Sequence, residues 1–272
     1  MGKKRFRKII KENRWVKYIP NILTICNSLC GFSAILFTLT IYESDSKSMV
    51  LAISAWIILI AMVFDALDGV AARFFNAASM HGMQMDSLAD MVTFGMAPAT
   101  VVAIMAKTLR DFQPGQYKYV WLMCGIYIAC AALRLATYNV HAILEKKSDG
   151  KFTGLPSPGA AAAVCSIILY YNFAVNNKLN YAAYILYFLP FYTAFLGIMM
   201  VAPIKYVHAG KWLQSVRRNK QRLLILITMI IGIIIRPQLV TVAIINLYII
   251  SGPILTLSEI LIPKKSKLRK SQ

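Results

Sequence analysis

Apolar and polar positions alternate along this chain on the scale of a bilayer. Runs approaching the roughly 20 apolar residues needed to cross about 30 Å of hydrocarbon recur over nearly its whole length, separated by short polar or basic segments. They predict helices at about 19–41, 49–73, 82–106, 117–139, 157–173, 181–203, 223–235 and 239–262. Within the third, Gly95 and Pro98 predict a loosened or kinked stretch. The seventh run has only 13 apolar residues and reads as a short span whose flanking Arg222 and Arg236 snorkel to opposite interfaces. The expectation is an all-α integral membrane protein of about eight spans. It divides into a six-helix unit at 18–203, a basic loop at 204–222, two additional transmembrane helices at 223–262 and a basic tail at 263–272. Residues 1–17 carry eight Lys or Arg with Phe6, Ile9, Ile10 and Trp15 among them. That pattern fits an amphipathic helix in the headgroup layer and a disordered basic tail equally well.

Composition agrees: with 58% hydrophobic residues in 272, the chain is not a soluble domain. The first apolar run is too long, and lacks the small-residue site, for a cleaved leader. A net charge of +19 raises the question of nucleic acid. The basic residues, however, sit at the ends and between apolar runs, where anionic lipid headgroups are the natural partner. With eight spans and both ends on one side, that side carries 24 Lys and Arg against six on the other, which makes it cytoplasmic. The five cysteines all lie inside apolar runs, and their spacing suits neither a disulfide framework nor zinc.

Against this background, one stretch breaks the hydrophobic pattern. Asp65 to Asp90 holds four of the eleven acidic residues in the form D-x2-D-G-x2-A-R-x8-G-x3-D-x3-D. At 100° per residue, Asp65, Asp68, Gly69 and Ala72 fall within roughly a 100° arc of one helix, and Gly82, Asp86 and Asp90 line a stripe on the next. A carboxylate in hydrocarbon costs several kcal/mol unless it is paired, hydrated or bound to a cation. With no cysteine in the stretch and His81 read as a surface histidine, a ligand set of carboxylates indicates a hard ion, and four of them suit two ions about 3.5–4 Å apart. The small residues on the same faces leave room for a ligand.

Other polar groups interrupt the spans. Asn21, Thr24, Asn27 and Ser28 form a stripe on the first helix, which suits interhelical hydrogen bonds as well as ligand binding. The fourth helix ends in ALRLATYN, which brings Arg134 and Asn139 to the side of the aspartates, and the turn-rich GLPSP segment adds Gly154 and Ser157. Arg134 suits either a positive interface anchor or a phosphate or carboxylate ligand.

The Asp65–Asp90 pattern resembles, at every fixed position and spacing, the signature of the CDP-alcohol phosphotransferases. PNILTICNSLCGF, MDSLADMVTFGMAPA, ALRLATYN and FTGLPSPGAAA resemble the phosphatidylserine synthase branch over about residues 18–200. One departure is Thr137-Tyr138, where members often carry Arg-Phe. The resemblance implies transfer of a phosphatidyl group from CDP-diacylglycerol to L-serine, with release of CMP, using two divalent cations, Mg2+ or Mn2+. It implies that Asp65, Asp68, Asp86 and Asp90 hold the metals and that Asp90 is also the catalytic base. Asn21, Thr24, Asp68, Gly69, Ala72, Arg73 and Gly82 would bind CDP-diacylglycerol, and Arg134, Asn139, Gly154 and Ser157 the acceptor. A homodimer in a bacterial inner membrane, with a cytoplasmic active site and no nucleic-acid partner, is also implied. Members using glycerol 3-phosphate, inositol phosphate or choline differ in the acceptor pocket, and the more distant alternative is a cation-coupled transporter.

Overall fold

The computed structural model describes residues 18–75, 79–109, 117–144, 154–204, 206 and 220–261. The basic segment at 1–17, residues 205 and 207–219 of the 204–222 loop and the tail at 263–272 lie outside these residues. The described residues form helices and no strands. In chain order the helices are α1 (Ile19–Leu39), α2 (Lys47–Phe75), α3 (Met80–Asp90), α4 (Ala97–Leu109), α5 (Tyr117–Leu144), α6 (Ser157–Asn176), α7 (Ala182–Val201), α8 (Lys220–Ile235) and α9 (Pro237–Leu261). A π-helical turn, Met91–Met96, joins α3 to α4 in one continuous rod.

Among the described residues, seven helical segments are long and apolar enough to cross a membrane, with α3, the π turn and α4 counting as one. The short seventh run is the exception. Helix α8 has 16 residues, and at 1.5 Å per residue it rises about 24 Å, less than the hydrocarbon thickness of about 30 Å. The seventh run, expected as a short span, is thus a short helix beside seven longer ones among the described residues.

The loosened stretch expected around Gly95 and Pro98 is the π turn. Proline has no N–H to donate to the carbonyl four residues earlier, which here belongs to Phe94. The buried Tyr127 hydroxyl of α5 donates to that carbonyl instead, at 2.8 Å. Small residues set how closely the helices cross. A Cβ on Gly197 of α7 would lie 2.7 Å from Tyr127 Cα, and one on Gly31 of α1 would lie 2.7 Å from Thr93 Cα. With no hydrophobic drive between helices in lipid, such close approach supplies the packing energy, and buried polar pairs reinforce it. One such pair is Thr38 with Ser54, whose hydroxyls lie 2.9 Å apart between α1 and α2.

Because the helices alternate in direction, one end of the bundle collects the start of α1, the end of α2, the start of α3, the end of α5 and the start of α6. Those are the segments that carry nearly all the polar candidates.

Candidate functional site

The site is built on the hairpin between α2 and α3. Ser79 caps α3, its hydroxyl accepting from the Gly82 backbone N–H at 3.0 Å, as an N-cap serine is suited to do. Past that cap the i, i+4 repeat turns Asp86 and Asp90 toward α2. One carboxylate oxygen each from Asp65, Asp68 and Asp86 lies within 4.8 Å of the others. Asp90, buried, meets Asp65 side chain to side chain. Carboxylates this close repel each other unless a proton or a cation stands between them.

Helix α1 supplies the counterparts. The Thr24 hydroxyl donates to Asp68 Oδ2 at 2.9 Å and also lies 3.0 Å from the Pro20 carbonyl. Asn27, fully buried, donates from Nδ2 to Asp90 Oδ1 at 3.3 Å. Thr93 of the π turn fixes Asn27 by donating to its backbone carbonyl at 3.0 Å. The close crossing at Gly31 makes this contact possible.

A cavity of about 410 Å³ opens beside the carboxylates, lined by Pro20, Asn21, Thr24, Asp68, Gly69, Ala72, Ser79, Met80, Gly82, Met83, Asp86 and Tyr138. Its size lies within the usual range for small-ligand pockets. A Cβ on Gly69 would meet nothing within 4 Å, so this glycine borders open space.

The residues present fit hard cations. The donors are all carboxylate oxygens, three of them converge, and Asp86 Oδ1 is buried with no hydrogen-bond partner. Carboxylate clusters of this kind hold oxygen-seeking divalent ions.

Of the residues expected to bind the donor substrate, Asn21, Thr24, Asp68, Gly69, Ala72 and Gly82 line the cavity together. Arg73 does not; it is exposed in the last turn of α2. The acceptor candidates divide. Arg134, part-buried, donates from Nη1 to the Ser157 hydroxyl at 3.1 Å, and it interacts electrostatically with Asp90. Asn139 Oδ1 accepts from Ser87 at 3.0 Å, tying α5 to α3. Gly154 has φ +99° and donates its N–H to the Ile204 carbonyl at 2.7 Å. A side chain there would run into the Met200 backbone, so the loop's own geometry accounts for this glycine.

Two site residues were not foreseen as such. Asn27 was visible as part of the polar stripe, but its contact with Asp90 spans 63 residues of chain. Tyr138 lines the cavity at the Thr137-Tyr138 departure from the family pattern, which was the available signal.

A membrane-embedded helical bundle with a carboxylate cluster beside a ligand-sized cavity defines a class of intramembrane, metal-ready enzymes. Comparison with known proteins gives the family. The profile of the CDP-alcohol phosphatidyltransferases matches residues 17–199, and the chain belongs to that family. It is 32% identical over 197 residues to the CDP-diacylglycerol--serine O-phosphatidyltransferase of Bacillus subtilis, covering 72% of this chain and 93% of that one. It is 27% identical over 236 residues to the protein of the same name from Helicobacter pylori, covering 86% and 88%. The like-named protein of Saccharomyces cerevisiae is 34% identical over 157 residues, covering 54% of this chain and 52% of its own length.

Proposed function

We propose that this protein transfers the phosphatidyl group of CDP-diacylglycerol to L-serine, giving phosphatidylserine and CMP. The observation that carries the reading is the convergence of Asp65, Asp68 and Asp86 on a cavity walled by the polar stripe of α1. The names of the similar proteins support serine as acceptor.

A serine hydroxyl is a poor nucleophile at neutral pH, so the reaction needs a base and a way to neutralise charge at phosphorus. Asp90 is the base. Its carboxylate takes the hydroxyl proton as the serine oxygen bonds to the lipid-side phosphorus and the bond from that phosphorus to the CMP oxygen breaks. Asn27 holds Asp90 in place through the Nδ2 contact. Thr24 orients Asp68 in the same way. Two divalent cations, Mg2+ or Mn2+, held by Asp65, Asp68, Asp86 and Asp90, supply charge neutralisation at the diphosphate when bound. Gly69, Ala72 and Gly82 let the nucleotide lie against backbone, beside Asn21 and Thr24. Arg73 reaches the diphosphate from the rim. Arg134, anchored by Ser157, binds the serine carboxylate, for which its planar fork is suited. The charge distribution supports a cytoplasmic site in a cell membrane, and the family resemblance supports a homodimer.

The test is a competition assay. Purified protein is given CDP-diacylglycerol, Mg2+ or Mn2+, and serine, glycerol 3-phosphate, inositol phosphate and choline together. Phosphatidylserine should dominate the products. Preferential formation of another lipid would overturn the acceptor assignment and leave the family membership standing.

A further inference from the structure

Helices α8 and α9 lie beyond residues 17–199, so nothing in the family match gives them a role. Helix α9 nevertheless packs on α6, the helix whose first residue anchors Arg134. Three polar or aromatic contacts latch it there. Tyr192 of α7 donates its hydroxyl to Asn246 Oδ1. Tyr206 donates its hydroxyl to the Ile249 carbonyl at 3.2 Å. The Tyr206 and Tyr248 rings lie 5.5 Å apart at 43°. Hydrogen bonds of this kind are scarce on a helix otherwise given over to aliphatic residues, and in hydrocarbon they fix rotation about the helix axis.

The rotation they fix turns Tyr248 inward. Its ring edge would lie 3.6 Å from a Cβ on Gly159, two residues after Ser157, so the absent side chain at 159 leaves the space the ring approaches. From there Tyr248 interacts electrostatically with the Arg134 guanidinium, whose other neighbours are Asp90, Tyr138 and Ser157. Arg134 is thus hydrogen-bonded to Ser157 and interacts electrostatically with Asp90 and with one residue from outside the matched region.

We infer that α9 forms the outer wall of the acceptor site and that Tyr248 is a positioning residue, holding Arg134 in the orientation that receives the carboxylate of an amino-acid acceptor. Electrostatic attraction between the Tyr248 phenol and the guanidinium favours some rotamers of a long, flexible side chain over others, so less ordering remains to be done when the acceptor binds. The inference rests on the assignment of Arg134 to the acceptor made above.

The experiment is steady-state kinetics on the full-length enzyme in which serine and CDP-diacylglycerol are varied separately. Tyr248→Phe keeps the ring and removes the hydroxyl. It should raise the serine KM roughly three- to tenfold, the equivalent of one lost polar contact, with kcat and the CDP-diacylglycerol KM within about twofold of the parent. In an Arg134→Lys background the same change should have less than half that effect, because an ammonium has no fork to orient. An unchanged serine KM in Tyr248→Phe, an equal rise in both KM values, or the same effect in the Arg134→Lys background would each overturn the inference. A serine KM unaffected by Arg134→Lys and by Arg134→Ala would instead overturn the assignment of Arg134 itself.

Discussion

The last helix is more apolar than the helices at the heart of the family-matched region, yet it is less enclosed by the protein. In the α3–α4 rod and in α6, 61% of the most apolar stretch is buried within the protein; in α9 the figure is 11%. The sequence of α6 shows why, since SPGAAAAVCS offers neighbouring helices a surface with almost no side-chain bulk. Helix α9 carries Leu247, Ile250, Ile254 and Leu257 outward, where lipid can meet them. Hydrophobicity alone therefore does not build a site in a membrane. Close backbone approach does, because it lets buried polar groups such as Asn27 and Thr93 reach across helices. Helix α9 joins the site only where a few polar side chains latch it.

The largest effect should come from the centre of the core. Asp90→Asn removes the base while sparing most donor-substrate contacts, so kcat should fall by about two to four orders of magnitude with CDP-diacylglycerol binding still measurable. Asp65→Asn should impair both. If binding is lost equally in the two variants, Asp90 serves only as a ligand.

Next in size are two glycine substitutions that separate packing from chemistry. Gly197→Val forces side-chain atoms against the Tyr127 backbone and should destabilise the fold by about 1–3 kcal/mol, read as a lower Tm in detergent. Gly69→Ala meets no protein atom within 4 Å. It should leave Tm unchanged and raise the CDP-diacylglycerol KM, because the added methyl borders the cavity. A fall in Tm for Gly69→Ala would mean that the small residues of the motif serve packing.

A smaller effect is expected at Tyr127→Phe, which removes the donor to the Phe94 carbonyl beside the π turn. The loss should be about 1–3 kcal/mol, the cost of leaving a buried acceptor unsatisfied. Least of all should come from Leu247→Ala on the outer face of α9, which is 68% exposed. Its Tm should match that of the parent within the roughly 0.5 kcal/mol typical of surface changes.

What the sequence reveals follows the same division. The aspartate motif was legible because helical periodicity turns spacing into direction: residues three and four apart share a face whatever packs against them. That Asn21, Thr24, Gly69, Ala72 and Gly82 face one cavity was implied by the family resemblance; periodicity alone put the small residues on the aspartates' faces and left the α1 stripe open to interhelical hydrogen bonding. Asn27 on Asp90, Tyr138 in the cavity and Tyr248 beside Arg134 were not, since each depends on where two helices cross. Crossing points are set by side-chain volume at distant positions such as Gly31 and Gly197. Gly154 and Gly69 show the limit from the other side. Both are glycines near polar segments, but one is required by a positive φ and the other borders empty space.

The central claim is that the four aspartates form one site for divalent cations, and Mn2+ binding followed by electron paramagnetic resonance on the purified protein tests it most directly. The prediction is two ions per chain, close enough to couple magnetically, with the coupled signal lost in Asp86→Asn and in Asp68→Asn while the helical fold is retained. Uncoupled Mn2+, or binding indifferent to both substitutions, would contradict it.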